Sequence, residues 1–118
     1  MNKLSILAMV LGSVVSFGGL AADCKDDARY PEISFQELRA VAGKSATVVD
    51  VNSQESFAKH HVPGAIHFAS VGDKFASKLP KNKDALIVAY CGGPLCTAWK
   101  KAAEEACEAG YTNVKHFK

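Results

Sequence analysis

This sequence predicts an α/β fold: a mostly parallel central sheet with helices on both faces. Two observations carry the prediction. Apolar, β-branched runs of strand length alternate along the chain with segments bearing helix caps. The strongest of those runs, ALIVAY over residues 85–90, is apolar throughout, as a strand covered on both faces must be.

The first 22 residues stand apart from this pattern. Lys3 gives a positive start, residues 4–15 form an almost unbroken apolar run, and the small residues Gly18, Gly19, Ala21 and Ala22 follow. That order is a secretory signal peptide over 1–22, too short and wrongly flanked for a stable membrane span. Cleavage after Ala21 or Ala22 leaves a small residue at the cut. A lipoprotein anchor on Cys24 would need a small residue before it, and Asp23 stands there. The expectation is a soluble exported product, periplasmic in a bacterium, with an uncleaved anchor helix as the alternative. The remaining 96 residues suffice for one small domain with one core. Loss of Lys3 leaves 13 basic and 12 acidic residues, and no basic run with interleaved aromatics suggests nucleic acid. All four cysteines stay, in a compartment that tolerates disulfides, and spacing alone does not fix their pairing.

Residues 23–32 are polar and include Pro31, which reads as a loose lead-in to a domain over 33–118. Ser34 and Glu37 have the spacing of a capping box, so a helix should run to about Ala42 and stop at Gly43. ATVVDV over 46–51 is a strand. Ser53 caps a short helix through Ala58. The turn His61-Val62-Pro63-Gly64 leads into a short strand over 65–69, and a helix over 74–79 ends before Pro80. After the strand at 85–90 comes a tight loop over 91–96, and Thr97 is placed to cap the next helix. In that helix Ala98, Trp99, Ala102, Ala103, Ala106 and Cys107 recur at helical spacing and define its buried stripe. Gly110 ends it, and 112–117 is a last strand.

The chemistry belongs where the best strand meets the best helix. Cys91-Gly92-Gly93-Pro94-Leu95-Cys96-Thr97 lies at the carboxyl end of a strand, the usual ligand side of open α/β sheets. Two glycines let the backbone curl so that successive amides face one point, and the following helix adds its positive end. A cysteine there should be partly thiolate, the nucleophilic form. The alternative is a buried, inert thiol beside a tight turn.

These segments resemble the rhodanese family. Asp50-Val51, Phe57 and His61-Val62-Pro63-Gly64-Ala65-Ile66-His67 are similar to its D-V-R…E-[FY]-x-x-G-H-[IV]-P-G-A-[IV]-[HN] signature. Val88-Ala89-Tyr90-Cys91 with its six-residue loop resembles the family's active-site loop, and Gly110-Tyr111-Thr112-Asn113-Val114 its G-[YF]-x-N-V segment. The resemblance implies a sulfurtransferase working through a persulfide on Cys91. Sulfane sulfur would pass from thiosulfate, a polysulfide or another persulfide to a thiol or cyanide. It implies a binding loop of Gly92, Gly93, Leu95, Cys96 and Thr97, whose amides hold the anion, with Pro94 unable to donate. Asp50, His61, Pro63 and Gly64 would be structural. The partners implied are small sulfur-containing anions and thiol acceptors, without cofactor or metal.

The departures matter as much. Asn52, Ser56 and His60 replace the signature's arginine, acidic residue and glycine, while Pro94 and Cys96 take the loop's usual glycine and arginine. Loss of the rim arginine disfavours thiosulfate, a dianion. The chain also ends at Lys118, short of the Gly-Gly turn and last helix common in the family. Cys96 is either a resolving thiol that closes a disulfide with Cys91 or a small residue that fits the helix start. Cys107 reads as core packing, and Cys24 could pair with it or with a partner chain. His61 should fix its turn by hydrogen bonds, and His60 should be solvated. A zinc site from Cys91, Cys96 and a histidine fits poorly with four intervening residues. Lys100 and Lys101 could draw anions or simply be a solvated helix face, and Trp99 is an anchor for the stripe. Besides the sulfurtransferase, two readings remain: a thiol–disulfide protein using Cys91 and Cys96, and a catalytically silent binding module. A phosphatase is excluded, because Thr97 stands where C-x5-R chemistry needs its arginine.

Overall fold

The computed structural model describes residues 23–118, so the signal peptide expected over 1–22 lies outside the described residues. A 3-10 turn, Asp27–Arg29, precedes helix α1, Phe35–Val41. Both halves of the expected capping box are made: Ser34 Oγ accepts from the Glu37 amide and Glu37 Oε1 accepts from the Ser34 amide, each at 3.1 Å. These bonds from Ser34 hold the Glu37 carboxyl below its ordinary pKa. Gly43 follows with φ +73°, the left-handed conformation that ends helices.

Strand β1 is Ala46–Asp50, and Ser53 caps α2, Gln54–Lys59, by accepting from the Ser56 amide. Strand β2 is only Ile66–His67. It was expected to continue to Ala69, but the chain turns at Phe68 into α3, Phe68–Val71, and then a 3-10 helix, Gly72–Lys78. The turn brings the Phe68 ring edge-on to the buried Phe75, centroids 4.9 Å apart, so core packing overrides the apolar strand signal. The helix expected over 74–79 is the last part of that 3-10 segment. Strand β3, Leu86–Tyr90, helix α4, Trp99–Glu108, and strand β4, Val114–Phe117, complete the order.

All four strands are parallel, in the order β2-β1-β3-β4. The sheet is thus wholly parallel where a mostly parallel one was expected. Alternation along the central strands feeds two cores, one on each face. Val49, Ile87 and Ala89 pack with Trp99, Ala102, Ala103 and Ala106 of α4, while Val48 and Val88 pack with Ile33 and with Leu38 of α1. Each fully buried Val or Ile in these clusters stabilises the fold by about 1.5–3 kcal/mol. The α4 stripe is as expected from Trp99 to Cys107, but Ala98 lies outside the helix and is exposed.

The lead-in is packed, not loose. Cys24 and Cys107 form a disulfide, Tyr30 is 2% exposed, and the Tyr30 hydroxyl donates to the Cys24 carbonyl at 2.5 Å. Residues 31–33 run beside β4: the Ile33 amide donates to the His116 carbonyl and the His116 amide to the Pro31 carbonyl. Cys107, read as simple packing, therefore sits on the apolar stripe and also ties the start of the domain to α4.

Candidate functional site

The register of β1 and β3 places Asp50 opposite Tyr90, so both strands reach the carboxyl edge of the sheet together. Asp50 is fully buried, and its carboxylate is shared. Oδ1 accepts from the Asn52 amide at 2.8 Å, and Oδ2 accepts from the Tyr90 hydroxyl at 2.6 Å. The same hydroxyl accepts from the Val62 amide at 3.0 Å. One carboxylate and one phenol thus hold the exits of β1 and β3 and the 61–64 turn in a single network. Burial, with the bond to Asp50, raises the Tyr90 phenol far above its ordinary pKa.

The 61–67 segment is held by its own rings. His61 Nδ1 lies 2.6 Å from the Phe57 carbonyl, which makes the expected turn-fixing bond, and His60 is exposed. Phe57 is sandwiched between His61 at 3.8 Å and His67 at 4.6 Å. Gly64 has φ +80°, a conformation suited to glycine, and Pro63 beside it is exposed. His67 Nε2 donates to the Asn52 carbonyl at 2.8 Å, and its Nδ1 lies 2.6 Å from the Ser70 hydroxyl. Asn52 is therefore fixed from both sides. A Cβ added to Gly92 would lie 3.6 Å from Asn52 Oδ1, so the residue replacing the family's arginine lies beside the Cys91 loop.

Cys91 follows β3 directly and is 7% exposed. Cys96 is bonded to it, with Cα atoms 6.2 Å apart, so of the two readings of Cys96 the structure has the disulfide. The loop closes around a turn in which the Cys96 amide donates to the Gly93 carbonyl at 3.0 Å. That amide is internally bonded and not available to an anion in this state. Thr97 does not cap α4. The N-cap is Ala98, one residue further on, without a side-chain bond and already with helical backbone angles. The Thr97 carbonyl instead accepts from the Lys100 amide. Gly92, Leu95 and Thr97 are exposed, Leu95 at 95%, and Gly93 is partly buried.

A cavity of about 270 Å³ opens beside the loop, with Pro94, Cys96, Trp99, Lys100 and His116 among its lining residues. Lys100 pairs with Asp27 at 2.5 Å across its rim, whereas Lys101 lines a different surface hollow. Trp99 anchors the stripe as expected and also stacks flat on His116, centroids 3.9 Å apart. His116, Tyr30 and Tyr90 were missed by the sequence reading. The signal for His116 was strand alternation: in Val114-Lys115-His116-Phe117 it shares the buried face with Val114.

No curated protein matches the chain significantly. The family model described as Rhodanese-like domain matches residues 34–118, most of the chain and every element from the α1 cap to β4. With the parallel sheet and a cysteine loop at the carboxyl end of β3, this chain belongs to the rhodanese-like domain family.

Proposed function

We propose that the protein is a sulfurtransferase with Cys91 as nucleophile and Cys96 as the thiol that closes on it. Family membership supports sulfur transfer or related chemistry in general. The observation that carries the finer reading is the Cys91–Cys96 bond at the strand end, where the family has its reactive loop. In the open form the Cys91 thiolate attacks the outer sulfur of a polysulfide or of thiosulfate. It becomes a persulfide and releases the shortened polysulfide or sulfite. Cyanide or a thiolate then takes the terminal sulfur and returns Cys91 as thiolate. When no acceptor arrives, Cys96 attacks Cys91 Sγ, hydrosulfide leaves, and the closed loop results. Polysulfide is the favoured donor, since Cys96 stands where a rim arginine would grip a dianion. Two disulfides within 96 residues support an exported, oxidising location for the mature chain.

A thiol–disulfide protein is the second reading, favoured by the same bond. Intact mass separates them. Cys96→Ser, which cannot discharge a persulfide by closing the loop, should gain one sulfur atom on exposure to polysulfide and, separately, to thiosulfate. The adduct should be absent in Cys91→Ser and discharged by cyanide. No adduct with either donor, together with reversible loss of two hydrogens needing both cysteines, would overturn transfer in favour of the thiol–disulfide reading. An inert Cys91 under both tests would leave a silent module.

A further inference from the structure

A sulfur carried on Cys91 faces two competing nucleophiles, one dissolved and one in the loop. The loop thiol has the advantage of place. Cys96 lies five residues beyond Cys91, and the closed state holds their Cα atoms 6.2 Å apart, within the span of a disulfide. The bond from the Cys96 amide to the Gly93 carbonyl, at 3.0 Å, turns the chain back toward the strand end. A tether this short gives Cys96 an effective concentration of about millimolar or more at Cys91. The leaving group favours closure as well, because hydrosulfide is a weaker base than a cysteine thiolate. The loop position that lacks the rim arginine thus supplies a thiol in its place.

Reopening is subject to the same proximity. When a single thiol bonds to either sulfur of the closed pair, the other cysteine is released beside the mixed disulfide. It recloses the loop and expels the thiol. A dithiol escapes this reversal, because its own second sulfur also attacks the mixed disulfide from within the same molecule.

We infer that the protein is a dithiol-driven sulfane-sulfur reductase, in which Cys96 and not a dissolved acceptor discharges the Cys91 persulfide. The inference rests on the proposed persulfide at Cys91. The Cys91 thiolate bonds to the terminal sulfur of a polysulfide, and the chain one sulfur shorter leaves. The Cys96 proton passes to the terminal sulfur of the persulfide. Cys96 Sγ then bonds to Cys91 Sγ, the sulfur–sulfur bond of the persulfide breaks, and hydrosulfide departs. The sulfane sulfur gains two electrons, and the two cysteines lose them in forming their bond. The dithiol returns those electrons by two exchanges and leaves as its own disulfide. One of its protons goes to Cys96 and the other to solvent, and Cys91 is again a thiolate.

The test opens the mature protein until only Cys91 and Cys96 alkylate, removes the reductant, and mixes the protein in excess over polysulfide with millimolar cyanide. Cyanide records transfer as thiocyanate, closure records itself as hydrosulfide, and Cys91→Ser gives the background for both. The wild type should release one hydrosulfide per sulfur consumed, with loss of two hydrogens from the chain, a readout that needs no variant. Its thiocyanate yield should fall about tenfold or more below that of Cys96→Ser. In a second arm the closed protein is reopened by dithiothreitol or by cysteine at equal thiol concentration, timed by acid quench, alkylation and mass. The dithiol should be about tenfold faster or more. Equal thiocyanate from wild type and Cys96→Ser, or reopening as fast by cysteine, would overturn the reductase and leave sulfur transfer standing. Absence of any sulfur adduct on Cys96→Ser would overturn sulfur transfer itself.

Discussion

The two disulfides share a chain and little else. Cys24–Cys107 joins residues 83 apart in sequence, has 1% and 8% exposure at its two ends, and ties the N-terminal segment to the last turn of the core helix. Cys91–Cys96 joins residues five apart, lies at the sheet's functional edge and borders a cavity through Cys96. Loop-closure entropy separates them in energy as well. The long crosslink restricts the unfolded chain by about 4–5 kcal/mol, and the short one by about 2. A bond that opens during turnover should be cheap to lose and easy to reach. The short one has both properties and the long one neither. On the proposed function, stability and chemistry fall to different cysteine pairs, so that the loop opens without loosening the fold.

The largest expected effect breaks the comparison on the stability side. Replacing Cys24 and Cys107 together by alanine should lower stability by about 4–5 kcal/mol, and the melting temperature by roughly 16–40 °C for a domain this size. Where that variant still folds, Cys91 should load sulfur normally. A thermal melt paired with intact mass checks both halves, and unchanged stability would remove the structural role given to this bond.

A smaller effect sharpens the other side, because the loop also depends on the Asp50–Tyr90 network. In Asp50→Asn the amide can present its oxygen to only one of two donors, the Asn52 amide or the Tyr90 hydroxyl. The variant should lose about 1–3 kcal/mol by denaturant unfolding. The network also sets an alkaline limit. The Tyr90 phenol is raised in the folded state, so its contribution is complete below the ordinary tyrosine pKa of about 10 and is lost as pH rises beyond it. Tyr90→Phe should flatten that alkaline decline, and an unaltered pH profile would contradict the assignment.

What was legible in the sequence was local or strongly patterned. Ser34 with Glu37, and Ser53, are caps whose partners lie within three residues, and all formed as read. The all-apolar β3 and the cysteine that follows it were equally clear. What escaped depends on the assembled fold. Cys24 meets Cys107, and Tyr30 meets His116, only once the sheet and α4 have brought together residues 83 and 86 apart. Thr97 had the right chemistry for a cap, but the helix is capped one residue later, at Ala98, where no side chain can bond. Phe68 read as strand and became helix because its ring found Phe75. The signature's rim arginine was visibly absent, yet only the structure showed that Asn52 lies beside Gly92 and that Cys96, at the loop's arginine position, is bonded to Cys91.

The most direct test compares sulfur loading in three states: the fully oxidised protein, protein opened with a mild thiol until only Cys91 and Cys96 alkylate, and Cys96→Ser. Each is exposed to polysulfide and weighed intact. Cys96→Ser should gain one sulfur on Cys91 without prior reduction, the opened protein should release hydrosulfide and return to the closed form, and the oxidised protein should gain none. Equal loading of the oxidised protein, or sulfur on a cysteine other than Cys91, would contradict a nucleophile gated by its neighbour.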